Sequence, residues 1–210
     1  MNTLTKNVAI SEEEASKIIP RAEFRIFGHD LIHNLEAKIW DVKATLYAAR
    51  KIPLETYFLS EKTNNSNVKV RDGLLDIKVK VGETKEGYEI FQPRGKFQFP
   101  VKKEELAIIL SHLEVDISLE KETYELEEFK QLVRQHPLLN AVTVEKMRYG
   151  FMVDGIICEF ARVWFNGALM ETACCESEDY EKMQGVVKAL GIENQPNVNY
   201  LKAAKRVVGM

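Results

Sequence analysis

Cysteine is scarce in this 210-residue chain: the three present are Cys158, Cys174 and Cys175, and none forms the CxxC spacing of a metal knuckle or a redox pair. The adjacent Cys174 and Cys175 face opposite ways if a strand carries them, so reduced, structural thiols are expected. Long apolar runs are also missing. Nothing approaches the roughly 20 residues that span a bilayer, and Met1-Asn2-Thr3-Leu4-Thr5-Lys6 has no signal-peptide centre. A cytoplasmic protein without membrane contact is the expectation. With 29 basic and 32 acidic residues the net charge is −3, which excludes the global basic field of a non-specific nucleic-acid binder. Any anion site must therefore be local, and a nucleic acid polymer is not an expected partner. No Gly-rich phosphate loop and no dinucleotide-binding fingerprint occurs. No Pro/Gly/Ser linker divides the chain, so residues 1–20 read as an N-terminal arm and residues 21–210 as one domain.

What is present is alternation. In Val68-Lys69-Val70-Arg71-Asp72-Gly73-Leu74-Leu75-Asp76-Ile77-Lys78-Val79-Lys80, charged and aliphatic residues take turns on both sides of an Asp-Gly pair. Side chains alternate faces along a strand, and Asp-Gly supplies the positive φ angles of a tight turn, so the stretch predicts a β-hairpin with one charged face. Lys146 and Arg148 repeat the pattern later, and Glu23 with Arg25, Glu89, Glu159 and Glu176 add both signs to other strand-like segments. Such alternation is also the ordinary pattern of a solvated sheet face. Against that reading stands the density of like charge on neighbouring strands, which is destabilising when the charges lie directly opposite.

Residues 1–20 read as a loose arm or as a short helix starting at Ser11, with Glu14 as its capping-box partner. Residues 21–27 read as a strand, and residues 29–51 carry apolar side chains at helical spacing, predicting one long amphipathic helix. A strand at 55–59, a loop at 64–67 and a third strand at 88–92 frame the hairpin. Helices are expected over 101–113 and 126–135, then three strands over 141–149, 155–165 and 168–176, the last two joined by Asn166-Gly167. A helix over 177–190 and a final one ending near Val208 follow. His29 and His33 sit four apart, a spacing that can hold zinc, but Asp30 is shorter than the usual general base and no third ligand is signposted. Capping of the following helix by His29 and Asp30 is the better reading. Trp40 and Trp164 are assigned to packing.

Taken together, the acidic strand around Glu23, the Lys69-Val70-Arg71-Asp72-Gly73 strand and turn, Lys78, Glu89, Lys146-Met147-Arg148 and the ending from Glu176-Ser177-Glu178-Asp179 to Leu190-Gly191-Ile192, with Asn199-Tyr200-Leu201, resemble the CYTH superfamily, also called triphosphate tunnel metalloenzymes. The resemblance runs from about Arg21 to Val208 and rests on order and spacing. It implies an α+β fold, an eight-stranded antiparallel β-barrel with helices packed outside, and a tunnel that binds a triphosphate-containing nucleotide or inorganic polyphosphate. In that case Arg25, Lys69, Arg71, Lys78, Lys146 and Arg148 would hold phosphate. Glu23 and Glu176 would hold Mg²⁺ or Mn²⁺, and Glu159 or Glu89 would orient water for phosphoanhydride hydrolysis. The sequence departs from the family where metal binds. Glu-x-Glu-x-Lys is replaced by Glu23-Phe24-Arg25-Ile26-Phe27, and the closing Glu-x-Glu by Cys174-Cys175-Glu176, unless Glu171 serves in a shifted register. Arg25 could then supply the charge a metal would bring, which favours a non-catalytic sensor of a small phosphorylated ligand as the alternative. A class IV adenylyl cyclase-like activity, which needs two metals, is less favoured. A homodimer is expected only on prevalence.

Overall fold

Hairpin turns set the topology. Asp72-Gly73, Asp154-Gly155 and Asn166-Gly167 each place two consecutive residues at positive φ, the conformation that matches the right-handed twist of the flanking strands. The computed structural model describes residues 7–210, the side chains of Glu12, Glu36, Ala37 and Trp40 excepted; the packing expected of Trp40 lies outside the described residues. From the N-terminus the elements are β1 (Val8–Ala9), α1 (Glu12–Ser16), β2 (Arg21–Gly28), α2 (Leu31–Asp41), β3 (Thr45–Ser60), β4 (Thr63–Arg71), β5 (Leu74–Glu83) and β6 (Glu89–Gln98). The second half contains β7 (Val101–Lys102), α3 (Lys103–His112), β8 (Thr123–Tyr124), α4 (Leu126–Gln135), β9 (Leu139–Val153), β10 (Ile156–Phe165), β11 (Ala168–Ser177), α5 (Tyr180–Ala189) and α6 (Tyr200–Val208).

Eight strands pair antiparallel in the ring order β6, β2, β11, β10, β9, β3, β4, β5, and β5 returns to β6 to close it. The fold is α+β, an eight-stranded antiparallel β-barrel with helices outside, as expected. β1 adds to the edge of β6, and Ser11 with Glu14 forms the capping box of α1.

Two stretches differ from the sequence reading. The helical periodicity of residues 29–51 overruns: α2 ends at Asp41, Lys43 takes a φ of 53°, and residues 45–52 belong to β3, paired with β9 from Met152 to Lys146. Leu46 and Tyr47, whose spacing continues the helix face, are each 54% exposed. Their spacing buries nothing, so the unmatched backbone of the long β9 decides the conformation, with no Gly or Pro at the break to announce it. The predicted loop at 64–67 is strand, lying inside β4, with the turn displaced to Glu61-Lys62. Asn67 reads as a loop residue because asparagine disfavours solvated strands, but in β4 it faces a polar interior.

The interior is inverted relative to most small barrels. Outward-facing Phe24, Ile26, Cys158, Phe160 and Cys175 pack beneath α2 and α5 with Met183 and Val187. Outward-facing Val68, Val70, Leu75 and Ile77 pack beneath α3 and α4 with Leu106, Ile109 and Phe129. Period-two alternation then sends the charged residues inward. A third cluster fills one end of the bore, where Leu59, Val142, Val144, Ala161, Val163 and Phe165 meet Tyr200, Leu201, Ala203 and Ala204 of α6. The C-terminal helix thus plugs the barrel, and its Tyr200 and Leu201 meet the charged part of the bore.

Candidate functional site

Above the plug lies a cavity of about 480 Å³ whose walls include Glu23, Arg25, Lys69, Lys78, Lys146, Arg148, Glu159 and Glu176. Eight of the ten residues nominated from sequence therefore share one space, brought there from six strands. Register explains how. Glu23 pairs directly with Glu89 on one side and Glu176 on the other, so three carboxylates stand abreast across β6, β2 and β11. One step deeper, Arg25 lies beside Cys174, which lies beside Glu159.

Like charges in such a row repel, and each carboxylate has its own cation. Arg25, 4% exposed, donates from Nε to Glu23 Oε1 at 2.7 Å and from Nη1 to Glu159 Oε1 at 3.3 Å. Its guanidinium carbon stands 4.5 Å from the centre of the Tyr200 ring, a cation–π contact that a desolvated arginine favours. Burial alone would raise the Glu23 carboxyl, yet Arg25 holds it below the ordinary value. Glu159 also pairs with Arg148, and Glu176 lies 3.6 Å from Arg21. Glu89 does not line the cavity: it accepts from Lys202 at 2.8 Å and from Asn199 at 2.8 Å, tying α6 to β6. Arg71 is set apart too, half-exposed near the hairpin turn and 3.6 Å from Glu55.

Sequence reasoning missed Glu55. This fully buried carboxylate reaches Lys69 Nζ at 2.7 Å and Lys146 Nζ at 2.6 Å. Burial by itself would push its carboxyl up, but Lys146 and Lys69 hold it down at about 2. Lys146 is the converse. Buried, donating to Tyr57 Oη at 2.8 Å and 4.1 Å from the Tyr200 ring centre, it is pushed by burial and by Lys69 down to about 7 despite Glu55. The signal for Glu55 was a lone acid inside the apolar run Ile52-Pro53-Leu54-Glu55-Thr56-Tyr57-Phe58-Leu59. Asn199-Tyr200-Leu201 contributed to the family resemblance, but nothing in the sequence gave Tyr200 or Lys202 a role in the site.

Two further expectations are corrected. Glu171 does not shift register into the tunnel: it alternates to the outside of β11, accepts from Ile32 N at 3.0 Å and lies 3.3 Å from Arg162. It thereby caps α2, the task expected of His29 and Asp30. The three cysteines are buried free thiols, as expected. Cys174 faces the tunnel side and Cys175 the outer core, where its Sγ lies 3.6 Å from that of Cys158.

Among the described residues no three of His, Cys, Asp or Glu come together to hold a metal ion. The cavity carboxylates accept from guanidinium groups, and the pair best placed for a divalent ion, Glu23 and Glu159, is bridged by Arg25. This donor set does not fit a resident Mg²⁺ or Mn²⁺, which needs carboxylate oxygens free to turn toward it. Lys69, Lys78, Lys146 and Arg148 line the same cavity. Lys78 has no carboxylate partner among the described residues, and a cluster of cations in a walled cavity focuses potential onto an anion. No helix among the described residues is long and apolar enough to cross a membrane.

No protein-family model matches the sequence, and no curated protein matches it. Solved structures do. A conserved hypothetical protein from Pyrococcus furiosus is 17% identical over 87% of this chain and 98% of its own, with a TM-score of 0.50. A candidate adenylate cyclase from Bacillus halodurans is 12% identical over 89% of this chain and 98% of its own, with a TM-score of 0.46. A Hippeastrum protein described as having a dominant triphosphatase activity is 12% identical over 90% of this chain and 95% of its own, with a TM-score of 0.44.

Proposed function

We propose that this chain, whose closed eight-stranded barrel is the fold its resemblance to the CYTH or triphosphate tunnel proteins implies, binds a small polyphosphate anion in its bore and does so without a divalent metal ion. The observation that carries the reading is Arg25 lying between Glu23 and Glu159. One guanidinium satisfies two acids that would otherwise repel the ligand or recruit a metal, while Lys69, Lys78, Lys146 and Arg148 remain on the cavity wall. Each charge-assisted contact of this kind contributes about 1.5–3 kcal/mol. Both acids nominated to orient water are engaged as acceptors, Glu159 by two arginines and Glu89 by Lys202 and Asn199. That arrangement supports binding over hydrolysis.

Calorimetric titration of tripolyphosphate into the protein in EDTA, with phosphate release followed in parallel, tests this. Saturable binding to one site is expected, with no release and no gain in affinity from Mg²⁺ or Mn²⁺. Binding that requires metal, or release of phosphate, would sink the proposal.

The pH dependence has a definite sign. Lys146 in the free protein sits at about 7, and a bound anion stabilises its ammonium form, raising that value. Above pH 7 binding therefore takes up a proton, and affinity weakens as pH rises from 7 toward 9. Titrations in buffers of different ionisation enthalpy should reveal the uptake. Lys146→Arg, which stays charged throughout this range, should reduce it to what tripolyphosphate itself contributes; an unchanged uptake in that variant would show that Lys146 does not titrate on binding.

A further inference from the structure

The barrel is closed, yet one strand outruns it. β3 pairs with β9 from Thr45 to Ser60, whereas β4 reaches β3 only as far as Glu55, opposite Arg71 and just short of the Asp72-Gly73 turn. Residues 45–54 therefore form a sheet edge on the side away from β9, and no strand among the described residues pairs with it there. Such an edge leaves backbone N–H and C=O groups open to a further strand. Between the irregularities at Leu46/Ala48 and Ile52/Glu55, Ala48 to Ile52 keeps unbroken register with Gly150 to Lys146, so this stretch is regular enough to template one.

The edge is apolar and basic at once. Leu46, Tyr47 and Leu54 are 54%, 54% and 57% exposed. One exposed aliphatic is ordinary, but three large apolar side chains within nine residues of an open edge mark an interaction surface. Leu46 lies beside Phe151, which with Ile32, Ile39, Tyr149 and Phe160 lines an apolar groove of about 220 Å³ on the outer face. From Lys43 to Leu54 the chain carries three cations and no acid. Lys51 stands 3.7 Å from Glu145. Arg50, exposed, has no carboxylate partner among the described residues, and the residue directly opposite it is another arginine, Arg148. Like charges so placed are destabilising until an anion joins them.

We infer that the β3 edge is a docking site for an extended acidic peptide of a partner protein, which adds antiparallel to β3 in the line that β4 vacates, its acids against Arg50 and its aliphatic side chains beside Leu46. Strand addition draws affinity from main-chain hydrogen bonds and specificity from alternate side chains. Arg50 shares the bore face with Arg148, and the irregularity after Leu46 sends that residue to the outer face with Phe151, so the added strand must alternate acid with aliphatic. A second copy of the chain fits poorly, because self-pairing would crowd two Arg50 and two Lys51 side chains into one ribbon. The inference is independent of what the bore binds.

Fluorescence anisotropy of a labelled peptide of four Glu-Val repeats, titrated with the full chain, tests this. Saturable binding that weakens as NaCl is raised is expected, with a Lys-Val peptide of the same length at least about tenfold weaker. Arg50→Glu should cost the Glu-Val peptide at least about tenfold, the loss of one charge-assisted contact, with an unchanged thermal midpoint to verify folding. N-methylation of alternate peptide amides separates strand addition from charge attraction. The set turned toward β3 should abolish binding, and the other should change it less than about threefold. Saturating tripolyphosphate should leave the peptide bound. Absence of saturable binding, equal affinity of the two N-methylated peptides, or displacement by tripolyphosphate, which would place the peptide in the bore, would each overturn the inference. So would a dimer of the unaltered protein in sedimentation that Leu46→Ser disperses, since a second copy would then hold the edge.

Discussion

Glu55→Gln should destabilise the fold by about 3 kcal/mol at pH 6, a fall in thermal midpoint of roughly 6–12 °C for a chain of this size. Glu55 is 0% exposed, and its carboxyl is held at about 2 against an ordinary 4.5, a difference equivalent to about 3 kcal/mol of stabilisation of the charged form in the folded state. Glutamine keeps the shape and removes the charge, leaving the buried Lys146 ammonium without its counter-ion. Because Lys146 loses its proton above about 7, the cost of the substitution should shrink at pH 9, where less positive charge remains to be stranded. Adding Lys146→Met should recover most of the loss, since a buried pair replaced as a whole is often close to neutral. Lys69, the more exposed partner of Glu55, can turn toward solvent. In the unaltered protein the Glu55 contribution is complete between pH 4.5 and the onset of Lys146 deprotonation near 7, and it disappears as pH falls through about 2. Denaturant titrations at pH 6 and pH 9 check these expectations, and a cost below about 1 kcal/mol at pH 6 would mean that Glu55 is not the electrostatic anchor of the cationic wall.

What the sequence disclosed and what it hid follow from the range of each interaction. The charged hairpin was legible because strand alternation and an Asp-Gly turn are local, and β4 and β5 repeat that pattern residue by residue. Concavity was not local. Whether Lys69 and Arg148 face water or a bore depends on the pairing of β5 with β6, which no window of residues contains; only the family resemblance supplied it. The helix drawn through residues 45–51 failed for a related reason. Helical spacing of apolar residues is evidence of helix only if that face is buried, and Leu46 and Tyr47 are exposed. Site residues chosen by strand alternation largely meet in the cavity, whereas Tyr200, Asn199 and Lys202 come from a helix plugging the barrel and could not be assigned to the site until its position was known. The absence of two expected acids was visible in the sequence. Its consequence, a single arginine bridging the two that remain in reach, required the fold.

That bridge can be broken in a way that separates the two readings of the tunnel. Arg25→Glu adds a third carboxylate beside Glu23 and Glu159 and removes the guanidinium that joins them. In EDTA the affinity for tripolyphosphate should fall about a thousandfold, because Glu23 and Glu159 lose the guanidinium that neutralises them and the new carboxylate adds its own repulsion, each change roughly 2 kcal/mol at the screening typical of protein sites. Mg²⁺ should then restore at least about tenfold, because three carboxylate oxygens and the phosphates together complete the oxygen shell that Mg²⁺ requires. Arg25→Gln serves as the neutral control. It keeps a donor against the Tyr200 ring, should lose about tenfold to thirtyfold in affinity, and should gain nothing from Mg²⁺. Thermal melts of both variants establish that they are folded, since Arg25 also pairs through its backbone with Asn197 and Val198. If Arg25→Glu folds yet remains indifferent to Mg²⁺, the arginine does not stand in for a metal, and the bore is a cationic binding site whose acids were never positioned to share one.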